Sequence, residues 1–312
     1  MIKLERILCP TDLSTESDEA LRYAVALTRA YEAKLYLLHC SEALPNGYEG
    51  GKQARTRITR LFTESLAPHL DLAELSDLNW EGLVAKSVSD VARAIVEKTG
   101  KHNIDLIVMR SRRRPRAAML LGSTAEAVCR TAPCPVLVTH PREREWVGLS
   151  TGEIDLRRVL VAYDFSTDSE LALNYGASLA QEYQAEVHLL HVSDNVGTVE
   201  PGLAWAPATT TGAGYVHIAQ KLQQAIPKEV FLWCNLVTAI RYGRAYEEVL
   251  LYAKEKEIDL ICMGASGSDF VLGKLFGSNV DRVLREAPCP VLVARPIKPA
   301  ASSAPKHRKQ TS

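Results

Sequence analysis

Four blocks of this chain occur twice, in the same order, and that repeat constrains the fold more than any other feature. "RILCPTDLSTES" from Arg6 returns as "RVLVAYDFSTDS" from Arg158, and "AKLYLLHCSE" from Ala33 as "AEVHLLHVSD" from Ala185. "IDLIVM" from Ile104 returns as "IDLICM" from Ile258, and "APCPVLVTHP" from Ala132 as "APCPVLVARP" from Ala287. The offset is 152 residues at Asp12/Asp164 and His39/His191, and 155 at Pro133/Pro288. Two collinear copies with small length changes between blocks mean a duplicated domain. The length of 312 residues suits two domains of ~150 residues.

Within each copy, short apolar runs alternate with helical periodicity. In the second copy the pattern predicts strands at Arg158–Ala162, Glu186–Val192, Val230–Val237, Asp259–Met263 and Val291–Ala294. It predicts helices over Val216–Ala225, Tyr246–Lys256 and about Asn279–Arg285, and one carrying Leu171, Tyr175 and Leu179 on a single face. Thr167 and Glu170 have the spacing of a capping box. Strands that are apolar throughout, separated by helices, imply a parallel sheet covered on both sides. The expected fold class is α/β, with two tandem five-stranded parallel-sheet domains. Their expected bounds are 1–141 and 157–296, joined by a linker over 142–156 and followed by a disordered basic tail over 297–312. The Gly/Thr-rich "VGTVEPGLAWAPATTTGAG" reads as a mobile loop, and Trp205, Tyr215 and Trp233 as packing residues. The last strands of the two copies, Val136–Thr139 and Val291–Ala294, would each leave an open sheet edge, so the copies are expected to pair there as an intrachain pseudo-dimer. A homodimer of tandem chains is a further level of assembly that this arrangement permits.

The formal net charge is zero, which argues against a nucleic-acid or membrane-surface binder. No apolar run approaches the ~20 residues of a membrane span. The opening "MIKLERILCPTD" reads as a charged lead into a strand and not as a signal peptide. The seven cysteines form no C-x-x-C pair and sit mostly in apolar runs, as small buried hydrophobes do. A cytoplasmic protein with reduced thiols is expected.

The chemistry concentrates in "MGASGSDFVLGKLFGSN", Met263–Asn279. Gly264 follows the apolar run of a strand, at the edge where open α/β sheets bind ligands. Gly277-Ser278-Asn279 opens a helix, whose exposed N–H groups and a serine hydroxyl suit phosphate. A plain tight turn is the simpler alternative, but the number and spacing of glycines favour a polyphosphate held by backbone. The Walker loop and the dinucleotide fingerprint both have different spacing. Lys274 either reaches a phosphate or is a solvated loop lysine.

The pattern Gly264-x2-Gly267-x9-Gly277-Ser278, followed by "APCPVLV", resembles the ATP-binding type of universal stress protein. So do the openings "ILCPTD" and "VLVAYD", with Asp12 and Asp164 ending the first strand. The resemblance covers both copies and nearly the whole chain. It implies a tandem universal stress protein with the adenine-nucleotide alpha hydrolase-like fold, acting as a nucleotide-dependent stress-response regulator. It further implies that Asp164 binds the ribose or adenine side and that Ala162 and Tyr163 line the adenine pocket. Val192 would meet adenine through its backbone, Met263 and Gly264 would flank the nucleotide, and Gly267, Gly277, Ser278 and Asn279 would hold the phosphates. Ala162 departs from the proline often found there, which Pro10 keeps in the first copy. Mg2+ would accompany the phosphates, without a dedicated carboxylate cluster.

The first copy departs further. Its loop reads "MRSRRRPRAAMLLGST", with Arg110 in place of the first glycine and one residue fewer before Gly122. Side chains should occupy the space that backbone contact needs, leaving this copy degenerate for ATP. Arg110, Arg112, Arg113, Arg114 and Arg116 make a dense positive patch that is either solvated or a modified anion site. No catalytic residues are assigned: nothing marks a base or nucleophile aimed at a phosphate, as an ATPase or nucleotidyl-transfer enzyme would need. A ligand-free interaction module is a third reading, favoured by the glycine loss in the first copy. His39 and His191 end equivalent strands without a Cys/His partner at ligand spacing, so the structural role is preferred to metal binding.

Overall fold

The computed structural model describes residues 2–14, 17–41, 59–60, 62–64, 66–67, 76–86, 90–111, 123–140, 144–148, 152–193, 213–226, 234–266 and 277–296. The tail 297–312, Trp205, Trp233 and nearly all of the Gly/Thr-rich loop lie outside the described residues.

The first copy supplies β1 (Arg6–Thr11), β2 (Lys34–Ser41), β3 (Trp80–Lys86), β4 (Leu106–Arg110) and β5 (Val136–Thr139), with helices α1 (Asp18–Ala30), α2 (Val91–Lys101) and α3 (Ser123–Thr131). The second supplies β6 (Arg158–Ala162), β7 (Glu186–Ser193), β8 (Leu236–Tyr242), β9 (Leu260–Gly264) and β10 (Val291–Ala294). Its helices are α4 (Thr167–Tyr183), α5 (Ala213–Ala225), α6 (Ala245–Glu255) and α7 (Ser278–Glu286). All ten strands form one sheet in the order β3-β2-β1-β4-β5-β10-β9-β6-β7-β8. Neighbours within a copy are parallel. The copies meet at β5 and β10, which run antiparallel with Val291 opposite Val138, Leu292 opposite Leu137 and Val293 opposite Val136. The edges that the sequence argument leaves open are thus joined to each other.

Side chains alternate across this sheet into two buried layers. Ile7, Val108, Leu137, Val159 and Leu292 face one layer, under α1 and α4. Leu8, Ile107, Val136, Leu160 and Val291 face the other, with α2, α3, α6 and α7. Each layer continues across the β5–β10 junction, so the two copies share their core.

The duplication extends to features no alignment of residue types would show. Left-handed backbone occurs at Leu13 and Phe165, Glu32 and Gln184, and Asn103 and Glu257, none of them glycine. The aspartate of each "IDL" block staples the start of its sheet. Asp105 Oδ2 accepts from the backbone N–H groups of Glu5 and Arg6, and Asp259 Oδ2 from those of Arg157 and Arg158.

Two local readings need correction. The cap of α4 is Ser166, whose hydroxyl oxygen accepts from the Ser169 N–H at 3.2 Å, one residue before the expected Thr167. The Asp164 carboxylate fixes Ser166 there, as described below. The strand before α6 runs over Leu236–Tyr242, so it continues past the expected end at Val237. Its register is set by β7, with Val187 opposite Leu236 and Ser193 opposite Tyr242. Residues 227–233 lie outside the described residues.

The segment joining the copies is a clasp. Val147 and Ile154 pair as an antiparallel bridge, closed by Asp155 N–H to the Trp146 carbonyl at 2.7 Å. Gly152 makes the turn at φ +64°, a conformation that a side chain would strain. Trp146 is 2% exposed and stacks edge-on against Tyr23 of α1 at 4.7 Å. Glu145 pairs with the buried Arg22 at 2.8 Å, and the Arg144 N–H donates to the Pro288 carbonyl at 2.7 Å. One short segment thereby grips both copies.

One buried polar group gives the fold a pH dependence. His188 of β7 lies between the Tyr252 hydroxyl, 2.9 Å from Nδ1, and Glu186 Oε2, 3.0 Å from Nε2. Burial holds its imidazole below the ordinary 6.5, against the opposing pull of Glu186. The unfolded chain therefore takes up this proton first as pH falls, and stability drops below pH 6.5. One such group contributes a slope of at most ~1.4 kcal/mol per pH unit. Urea titrations of His188→Gln across pH 5–7 should show that part of the slope removed. An unchanged slope would mean that His188 does not control it.

Candidate functional site

The first strand of the second copy sits between β7 and β9, so its carboxyl end is where the sheet reverses its winding. That position opens a crevice in α/β folds. A cleft of about 220 Å³ lies there. Ala162, Tyr163 and Asp164 line it from the end of β6, Leu190, His191 and Val192 from β7, and Met263, Gly264 and Ser266 from β9 and beyond. Ala245, Tyr246 and Val249 of α6, and Gly277, Ser278, Asn279 and Val280 at the start of α7, complete it. Of the ten residues assigned to the site from sequence, the cleft gathers all except Gly267, which lies outside the described residues with Gly273 and Lys274.

The turn after β6 is built from its own polar groups. Asp164 Oδ1 accepts from the Ser166 N–H at 3.0 Å and from the Ser166 hydroxyl at 2.5 Å. Phe165 takes φ +65°, reversing the chain into α4. The first copy repeats this, with Asp12 Oδ1 accepting from Ser14 N–H and the Ser14 and Ser17 hydroxyls. Asp164 is thus part of a capping turn and of the cleft wall together. His191 is fixed by donation from Nδ1–H to the Tyr163 carbonyl at 2.8 Å, and His39 likewise contacts the Thr11 carbonyl at 3.0 Å. Both histidines brace the ends of first strands, and His191 also lines the cleft.

Gly264 has a use that the sequence does not display. A Cβ at this position would stand 2.6 Å from the backbone carbon of Asp168 and 2.7 Å from its Cβ. The close approach is therefore to the first turn of α4. Asp168 Oδ2 then accepts from the Ser266 N–H at 3.0 Å, anchoring the beginning of the glycine loop. The other end is anchored by Gly277, whose N–H donates to the Ala265 carbonyl at 3.1 Å. Gly277 is the N-cap of α7 and provides no side-chain cap, so the first N–H groups of that helix depend on another acceptor. Ser278 and Asn279 beside it are exposed. Asp281 in the same turn is paired with Arg285 at 2.6 Å, which offsets its negative charge.

The first copy carries a different residue at the equivalent strand end. Arg110 ends β4 where Gly264 ends β9, is 12% exposed, and pairs through Nε with Glu19 of α1 at 3.1 Å. Arg112, Arg113, Arg114 and Arg116 lie outside the described residues.

Sequence reasoning missed Ser169, Leu190, His191, Ala245, Tyr246, Val249, Ser266 and Val280 as lining residues. The available signal was Gly243, which breaks the chain between β8 and α6 and so marks another strand end facing the crevice. Among the described residues no helix is long and apolar enough to cross a membrane.

The chain matches the universal stress protein family over residues 3–140 and again over 155–295. A universal stress protein of Mycolicibacterium smegmatis is 27% identical over 303 residues, covering 93% of this chain and 97% of that protein. The universal stress protein YxiE of Bacillus subtilis is 30% identical over 152 residues, covering 44% of this chain and 98% of that one. Among solved structures, a universal stress protein from Archaeoglobus fulgidus superposes with a TM-score of 0.61 at 22% identity. It covers 93% of this chain and 96% of its own. The functionally unknown protein PA1789 from Pseudomonas aeruginosa gives 0.66 at 17%, over 94% and 93%. With both copies matched and the α/β architecture shared, the chain belongs to the universal stress protein family, as a tandem member carrying two such domains in one polypeptide.

Proposed function

We propose that the second copy binds ATP, or another adenine nucleotide, and that the chain is a cytosolic regulator whose state follows that occupancy. The observation that carries this reading is the meeting of four distant segments, after β6, at the end of β7, after β9 and at the start of α7, around one cleft. The cleft has two chemistries. Ala162, Leu190, Val192, Val249 and Met263 offer apolar surface for a base, and the uncapped start of α7 offers N–H groups for phosphates. The backbone of Val192 adds an edge for hydrogen bonding. Glu186 N–H donates to Arg157 O, and Tyr163 N–H to Leu190 O, so alternate residues of β7 address β6. Val192 is the next in that series, beyond the point where β6 has turned away. Among the described residues no cluster of three or more His, Cys, Asp or Glu is placed to hold a metal. Mg2+ would accompany the phosphates of the nucleotide.

Calorimetric titration of the full chain should give one ATP per chain, because Arg110 occupies the first copy's equivalent position. Two equivalent sites would refute the degeneracy of the first copy, and no binding would refute the nucleotide reading. Mass spectrometry of small molecules released by denaturing the purified protein identifies the nucleotide directly.

A further inference from the structure

The α6 wall of the cleft carries an aromatic ring, Tyr246. Tyr246 stands in the first turn of α6 and lines the cleft beside Val249. Its hydroxyl donates to Glu247 Oε1 at 2.7 Å, and the same oxygen accepts from Arg244 Nη1 at 3.1 Å. The phenol oxygen is therefore engaged by a carboxylate of its own helix, and the ring carbons remain to meet a ligand. Arg282 of α7 lies over the ring, its guanidinium carbon 4.5 Å from the centroid. That contact ties α6 to the helix proposed to receive the phosphates. Met263, Val192 and Leu190 continue the apolar wall next to it.

We infer that Tyr246 is the specificity-determining residue of this cleft: it stacks on the ligand's base and selects a flat aromatic ring over a bare polyphosphate, with Arg282 as its positioning residue. This rests on the nucleotide reading above. Aromatic rings attract each other in offset or edge-on contact and exclude water from a large flat area. A hydroxyl turned toward the base would instead favour ligands that could hydrogen-bond to it. With the oxygen engaged by Glu247, the wall discriminates by shape and apolar area, which favours purines over pyrimidines. It gives nothing to a ligand without a base.

The test compares ATP with inorganic tripolyphosphate on the full chain, by calorimetry at one fixed salt concentration. Tyr246→Ala should weaken ATP binding by on the order of tenfold, the usual effect of losing one base–aromatic stack. Tripolyphosphate should be unaffected. Tyr246→Phe should match the parent with both ligands, because the hydroxyl is used elsewhere. Tyr246→Leu retains apolar bulk for folding and should still lose ATP affinity. Arg282→Gln should show a smaller loss, confined to ATP. If Tyr246→Ala binds ATP like the parent, the assignment is wrong and the nucleotide reading stands. Equal losses for ATP and tripolyphosphate also overturn it, since Tyr246 would then act through the phosphate end or the fold. A parent protein that binds neither ligand removes the nucleotide reading itself, and this inference with it.

Discussion

Trp146→Ala should destabilise the folded chain by about 3–5 kcal/mol, the range for emptying the site of a large buried aromatic residue. The side chain is 2% exposed and rests edge-on against Tyr23, which is itself 1% exposed. It also borders a small apolar cavity between the copies, shared with Leu27 and Leu137 of the first and Tyr175 and Leu292 of the second. The space left by the indole would therefore open onto an existing void at the junction. Equilibrium denaturation should show a lower midpoint, and the transition should broaden or split as the halves lose their coupling. Trp146→Phe should recover part of the loss by keeping the ring against Tyr23. A change below about 1 kcal/mol for the alanine variant would mean that this segment is a spacer after all.

Gly277→Val should weaken nucleotide binding by more than ~2 kcal/mol, about thirtyfold, through steric exclusion and lost phosphate hydrogen bonds. The fold should tolerate the change better than the site does. Gly277 has φ −64° and ψ 137°, a region that valine adopts without strain. Its N–H bond to the Ala265 carbonyl does not depend on the side chain. Gly264→Ala should behave in the opposite way. The new methyl group would enter the 2.6–2.8 Å shell around the Asp168 backbone, so stability itself should fall by roughly 1–3 kcal/mol. Calorimetry and thermal melting on the same pair of variants separate the two effects. Equal ATP affinity in the parent and Gly277→Val would refute the phosphate assignment at the start of α7.

The duplication, the two-sided burial of the strands and the pairing of β5 with β10 were all legible in the sequence. Each leaves a local trace: repeated blocks, unbroken apolar runs, and a last strand with an unfilled edge. At the crevice, Gly264 and Gly277-Ser278-Asn279 were legible as a strand end and a helix start, while Ala162, Tyr163, Asp164, Val192 and Met263 came from the family resemblance. Some decisions needed the tertiary structure, since they depend on what stands opposite a residue. "REREWVGLSTGEIDL" reads as a polar linker with one tryptophan, until folding brings Tyr23, 123 positions away, against that ring. The apolar run alone suggested a strand ending at Val237, yet pairing with β7 carries β8 on to Tyr242. Gly264 announces close approach without saying to what, and the answer is the backbone of Asp168, far upstream in the chain. Tyr246 looked like an ordinary helix residue, and only the packing of α6 against α7 put its ring under Arg282 and on the wall of the cleft. Periodicity records which face of an element is buried. The partner across that face is fixed by chain segments that meet only after folding, where close packing leaves each side chain one place to go.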